Sequence, residues 1–194
     1  MLKDCGQKGV KGVVVLAPEY KYRVNHAYQI SDQMKKLSSV HGCRVLGPNF
    51  LGFLRPAKNL NASLYPELPQ IGNIAFISES GIFSTAFLER AISKKVGFSY
   101  FISLGSKLDI NFSDAIDFLG RDGGTRALFL HVQNINNGRR FMTAIRSFEY
   151  LRAEKDYAVG LPPLNQTLAG RMMEETKIYQ YIQGIPSYLG ALRS

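Results

Sequence analysis

Short runs that are apolar at nearly every position alternate, along most of this chain, with segments whose apolar residues recur every three or four positions. The runs lie at 12–17, 43–46, 73–78, 98–104 and 126–132, and the helical spacing at 25–41, 82–94, 112–119 and 139–151. A strand without a polar face must be covered on both sides, and helices that return the chain between such strands make those strands parallel. The sequence therefore predicts an α/β protein built on a parallel sheet. Residues 55–70, rich in Pro and Asn and without periodicity, read as a crossing between two lobes. A further strand at 156–160 and a helix at 165–182, with Leu168, Met172, Ile178 and Ile182 on related faces, complete the reading.

With 194 residues, 45% of them hydrophobic, the chain can bury the core of one domain, or of one domain with an incomplete neighbour. No apolar run approaches the roughly 20 residues of a bilayer span, and Met1 to Gly6 lacks the pattern of a secretory signal. Cys5 and Cys43 have no CxxC spacing, and His26, His41 and His131 lie too far apart for a zinc pattern. Neither a disulfide framework nor a metal site is expected, and a reducing, cytoplasmic location is. The net charge of +9 is uneven: residues 1–60 hold ten Lys/Arg against three Asp/Glu, 61–147 nine against seven, and 148–194 five against five. A basic N-terminal third suits either a phosphorylated cofactor or a plain solvated surface. Nucleic acid is not expected, because the basic residues are scattered and no aromatic residues interleave with them as stacking platforms.

In parallel α/β sheets ligands bind beyond the carboxyl ends of the strands, where the chain turns into a helix. The strand Ile74-Ala75-Phe76-Ile77 runs into Ser78-Glu79-Ser80-Gly81 and then a helix. Ser80 reads first as an N-cap; the same turn also gathers two hydroxyls, a backbone left open at Gly81 and unpaired helix amides, which together make an anion cradle. Gly47-Pro48-Asn49, followed by Gly52, closes another strand and is either a second rim or only a turn. His131, alone in the apolar run Leu128-Phe129-Leu130-His131-Val132, reads as a hydrogen-bonded packing residue. No GxSxG, GxxxxGK[ST] or GxGxxG motif is present, and spacing alone assembles no nucleophile with its base and acid.

Five blocks carry a resemblance. Arg44-Val45-Leu46-Gly47-Pro48-Asn49-Phe50-Leu51-Gly52, Leu60-Asn61-Ala62-Ser63, Gly72-Asn73-Ile74-Ala75-Phe76-Ile77-Ser78-Glu79-Ser80-Gly81, Ser103-Leu104-Gly105-Ser106-Lys107 and Asn137-Gly138-Arg139-Arg140-Phe141 agree in order and spacing with the NDP-forming acyl-CoA synthetases. These are relatives of the succinyl-CoA synthetase alpha subunit. The resemblance implies a Rossmann-like domain that binds CoA, followed by a flavodoxin-like domain carrying a histidine phosphorylated during transfer. On it, Ser78, Ser80 and Gly81 match the helix start that receives the phosphohistidine's phosphate. Leu16, Ala17 and Pro18 match the strand end that contacts CoA, and Gly47, Pro48 and Asn49 the rim near its thiol end. Residues 155–166 and 172–177 are similar to a late segment of the ATP-grasp portion of the fused members.

The departures from that pattern matter as much. The family's opening Gly-rich turn has no counterpart, and where it continues into the phosphorylated His loop this chain passes from Ala144-Ile145-Arg146 to Phe148-Glu149-Tyr150. Gln133 stands where the family has a Glu that orients the histidine, and Phe50 where a Cys commonly follows Gly-Pro-Asn. The chain reaches Ser194 before the family's metal-binding acids. The expectation is thus a partial CoA-binding segment at 1–66, a shortened flavodoxin-like domain at 67–147 and an ATP-grasp-derived tail at 148–194. No catalytic histidine and no metal ligand is assigned, no imidazole is expected at the Ser78–Gly81 turn, and no nucleotide is expected to bind the chain alone. The implied lineage activity is ligation of a small, acetate-like carboxylic acid to CoA through a phosphohistidine, with this chain inactive by itself. The alternatives are a non-catalytic module that binds CoA or acyl-CoA weakly, docks on an ATP-grasp subunit or self-associates, and the product of a degraded gene.

Overall fold

The computed structural model describes residues 2–16, 34–36, 38–48 and 50–153. Its strands are β1 (Gly12–Val14), β2 (Arg44–Leu46), β3 (Gly52–Arg55), β4 (Leu60–Ser63), β5 (Gln70–Ser78), β6 (Gly97–Ser103) and β7 (Ala127–His131). Its labelled helices are α1 (Leu2–Gln7), α2 (Gly81–Ser93), α3 (Phe112–Arg121) and α4 (Gly138–Ala153). A short helical stretch also falls at 34–36 and 38–41. The rest of the helix predicted at 25–41, and the elements predicted at 156–160 and 165–182, lie outside the described residues.

The main sheet has five strands in the order β4-β3-β6-β5-β7, with β5 parallel to both β6 and β7. Side chains alternate across a strand, so each face of β5 meets a different layer. Ala75 and Ile77 pack with Phe112, Ile116 and Leu119 of α3 and with Phe141, Ala144 and Phe148 of α4. Phe76 faces the other way, against Phe87, Leu88 and Ala91 of α2. Its ring lies 4.2 Å from that of Phe101 and 4.7 Å from that of Phe87. Each of the buried Phe, Ile and Leu side chains contributes about 1.5–3 kcal/mol, which fixes the strand ends where the chain turns into its helices. Ser80 caps α2, and Asn111 with Asp114 forms a reciprocal capping box on α3.

Two expectations are corrected. The crossing expected at 55–70 is irregular only over 64–69: β3 and β4 form a hairpin through a 3-10 turn at Pro56–Lys58, and β3 pairs antiparallel with β6. The sheet therefore includes residues 52–63, and its β4 edge is antiparallel. Four-residue strands are too short to display a period, and this hairpin takes its place from its neighbour β6. The run at 12–17 is not a strand covered on both faces. Among the described residues β1 has three residues, pairs with β2 alone in a two-stranded parallel sheet, and leaves Val14 38% exposed.

The small sheet is tied to the large one by polar contacts. Asp109, just before α3, accepts hydrogen bonds from the Val45 amide (2.7 Å) and from Arg44 Nε (3.1 Å). The Ile110 amide donates to the Val45 carbonyl, and the Ser106 amide to that of Pro48. Among the described residues no helix is long and apolar enough to cross a membrane.

Candidate functional site

The carboxyl ends of β5, β6 and β7 meet around the turn from β5 into α2. Ser78, the last residue of β5, is fully buried. Its Oγ accepts the Ser80 amide at 3.1 Å, lies 3.3 Å from the Ser80 carbonyl, and is 3.0 Å from Nδ1 of His131 at the end of β7. Ser80 Oγ accepts the Phe83 amide and the Ser80 carbonyl accepts the Ser84 amide, so Ser80 is the N-cap that the sequence suggested. The amides of Gly81 and Ile82 in the first turn have no acceptor among the described residues. A Cβ at Gly81 would lie 3.5–3.6 Å from the backbone of Phe50 and Leu51, an ordinary contact. Gly81 is therefore not required by crowding here; what it leaves is an open approach to the helix end.

His131 corrects the expectation that no imidazole reaches this turn. It packs, as the sequence indicated, with its ring stacked 4.0 Å from that of Phe83 in the first turns of α2. It also bonds Ser78, a contact between residues 53 apart that only the β5–β7 pairing Ser78↔His131 creates. Burial lowers the His131 pKa from its ordinary value, with Glu79 pulling the other way, so the pocket favours the neutral ring.

Glu79 and Lys107 were given no role by the sequence, yet they close the side of the site. Their side chains are 7% and 8% exposed and form an ion pair. The Glu79 carboxylate also accepts the amides of Gln133 and Asn134, in the loop after β7, and Lys107 Nζ donates to the Asn134 carbonyl at 2.7 Å. Gln133 itself is exposed, so the acidic group at this loop comes from the end of β5 instead. One signal was available: both residues sit inside the matched blocks, next to Ser78 and Gly105. Lys107 adopts a left-handed backbone with φ 51° and Gly105 one with φ 63°, the tight geometry that brings the ammonium inward.

The residues matched to CoA contacts are only partly placed. Leu16 packs half-buried against the core, Gly47 and Pro48 are buried, and Ala17, Pro18 and Asn49 lie outside the described residues. Gly47 has φ 94°, and a Cβ there would meet the Phe50 ring and the Val15 carbonyl at 2.6 Å, so this position demands glycine. An open cleft of about 540 Å³ lies elsewhere, lined by Arg44, Arg55, Tyr100, Asp114, Phe118 and Asp122 among others. Within it Arg55 pairs with Asp122 and Arg44 with Asp114. Among the described residues no group of His, Cys, Asp and Glu is placed to hold a metal ion.

Comparison with known proteins places these features. Residues 71–152 match the family described as the succinyl-CoA ligase like flavodoxin domain. The alpha subunit of acetate–CoA ligase [ADP-forming] II from Pyrococcus furiosus is 33% identical over 141 residues, covering 73% of this chain and 31% of that protein. Acetate–CoA ligase [ADP-forming] I from Archaeoglobus fulgidus is 32% identical over 146 residues, 75% of this chain and 21% of that protein. Among solved structures, the dinucleotide forming acetyl-coenzyme A synthetase 1 of Ca. Korarchaeum cryptofilum, in complex with phosphate and ADP, superimposes with a TM-score of 0.70 at 31% identity. That similarity covers 76% of this chain and 32% of the other. The chain thus spans about a third or less of the length of these relatives.

Proposed function

Residues 71–152 belong to the succinyl-CoA ligase-like flavodoxin family, and the chain is a relative of the ADP-forming acetate–CoA ligases; from that premise we propose that it is the phosphate-handling part of an acid–CoA ligase. In this reading Ser78, Ser80 and Gly81 form the seat of a phosphate or phosphoryl group. The observation that carries it is the first turn of α2, where the Gly81 and Ile82 amides have no acceptor among the described residues, beside His131 and the Lys107–Glu79 pair. A helix N-terminus concentrates about half a positive charge on such amides, and an oxyanion uses them without bringing any counter-ion. The phosphate in the related synthetase complex supports the same chemistry for this chain.

CoA is the second ligand of the reading, along Leu16, Ala17 and Pro18 and the rim Gly47, Pro48 and Asn49. Nucleotide chemistry is assigned to a partner subunit. The P. furiosus relative is an alpha subunit, which supports that assignment. The chain alone therefore does not complete ligation; with a nucleotide-binding partner it does, on a small carboxylic acid.

The test is a titration of isotope-labelled protein with inorganic phosphate, read by amide NMR, on wild type and Ser80→Asp. Aspartate is as good an N-cap as serine, so the helix survives, but its carboxylate repels an oxyanion. Phosphate should shift the Gly81, Ile82 and Phe83 amides in wild type and leave them still in S80D. Unmoved amides in wild type, or equal shifts in both proteins, would refute the site.

A further inference from the structure

We propose that Asn61 and Ser63 close the β4 edge of the sheet, their side chains occupying backbone groups that β4 would otherwise offer to a strand of a second copy of this chain. Among the described residues β4 pairs with β3 alone, so its outer side is a sheet edge. Such an edge is a template for pairing with another chain, and proteins commonly guard it with charge or proline. Residues 60–65 carry neither, and Leu60 and Leu64 flank the edge 40% and 66% exposed.

The register decides which groups face outward. One step beyond the Gly52↔Ser63 pair, the Leu64 amide donates to the Leu51 carbonyl at 2.9 Å. Backbone groups alternate inward and outward along an antiparallel ladder. Leu60, Ala62 and Leu64 therefore turn theirs to β3, while Asn61, Ser63 and Tyr65 turn theirs away. Two side chains of the same edge take up those outward groups. Asn61 Oδ1 accepts the Ser63 amide at 3.0 Å, and Asn61 Nδ2 donates to the Tyr65 carbonyl at 2.8 Å. Ser63 Oγ accepts the Tyr65 amide at 3.1 Å and donates to Asn61 Oδ1 at 2.7 Å. A carboxamide both donates and accepts, so one asparagine covers a backbone amide and a backbone carbonyl at once. This gives a role to the Leu60-Asn61-Ala62-Ser63 block, which phosphate handling leaves unused, and it stands independently of that reading.

The experiment compares the full chain as wild type, Asn61→Val and Asn61→Asp, by light scattering across a concentration series and by amide hydrogen exchange. Valine keeps a strand former at the position but neither donates nor accepts. Aspartate still accepts from the Ser63 amide and hydroxyl, and it adds a charge to the edge. In wild type the Ser63 and Tyr65 amides should exchange slowly although they face away from β3. In N61V the Ser63 amide should exchange about tenfold faster in dilute solution, through loss of its hydrogen bond. The mass of N61V should rise above that of wild type towards a dimer as concentration increases, while N61D follows wild type. Circular dichroism checks the fold; if valine disturbs it, Asn61→Ala repeats both measurements, and the wild-type exchange pattern stands without either. Fast exchange of both amides in wild type, equal masses for N61V and wild type at every concentration, or association of N61D like that of N61V would overturn the proposal.

Discussion

Replacing Glu79 by Gln keeps the shape of the side chain and removes only its charge. It leaves the Lys107 ammonium, 8% exposed, without its counter-ion. Breaking a buried pair from one side costs about 3–5 kcal/mol, because an uncompensated charge remains where water cannot reach it. Lys107 keeps the Asn134 carbonyl at 2.7 Å and the face of Phe112, with Nζ 5.4 Å from the ring centre. Those contacts put the loss near the lower end, about 3 kcal/mol, against a total stability on the order of 5–15 kcal/mol. With a urea slope of about 2 kcal/mol/M, the unfolding midpoint should fall by about 1.5 M. Lys107→Met should cost less, since the carboxylate retains the amides of Gln133 and Asn134. The double variant E79Q/K107M should recover part of the loss, because it buries no lone charge. Urea titrations of the four proteins decide the matter. A midpoint for E79Q that implies a loss under about 0.5 kcal/mol, or a double variant less stable than the two single losses predict, would show that the pair does not clamp the three strand ends together.

Two further outcomes follow from backbone and titration. Gly52→Ala places a methyl 2.4 Å from the Ala62 carbonyl oxygen and the Ser63 Cα, at φ 120°. Backbone cannot give way, so the β3–β4 hairpin should lose at least about 2 kcal/mol and the melting temperature drop by about 4–8 °C; a melt within a degree of wild type would contradict the hairpin geometry. His131, whose folded pKa is depressed by burial, binds its proton more weakly in the fold than in the unfolded chain. The unfolded state therefore gains stability as pH falls below the ordinary value of 6.5, and the fold loses stability from there down to the lowered folded pKa, with no loss above it. Urea midpoints between pH 5 and 8 should show this slope in wild type and a shallower one in His131→Asn; parallel slopes would place the ring in solvent.

The elements around the site were legible because their signals are local. Asn73 to Ile77 with Ser80 spells a strand and an N-cap, and the structure has β5 ending at Ser78 and α2 beginning at Gly81. The helical spacing read at 112–119 likewise falls within α3. The β3–β4 hairpin was not legible, since its four-residue strands owe their conformation to pairing with β6. The pattern at 12–17 misled for a related reason: an apolar run says that a segment can be covered, and among the described residues β1 has only β2 beside it.

What the sequence determined by itself was the alternation of strand and helix, the capped turn at Ser80 and the kinship carried by its motif blocks, each a matter of neighbours within a few residues. What only the tertiary structure decided was which side chains share the carboxyl edge of the sheet. Ser78 and His131 meet because β5 and β7 are adjacent and in register, and Glu79 finds Lys107 because β6 ends beside β5. Those encounters depend on strand order, and hydrogen bonds and ion pairs acting over a few ångströms leave no trace in residues separated by 28 or 53 positions until the sheet has closed.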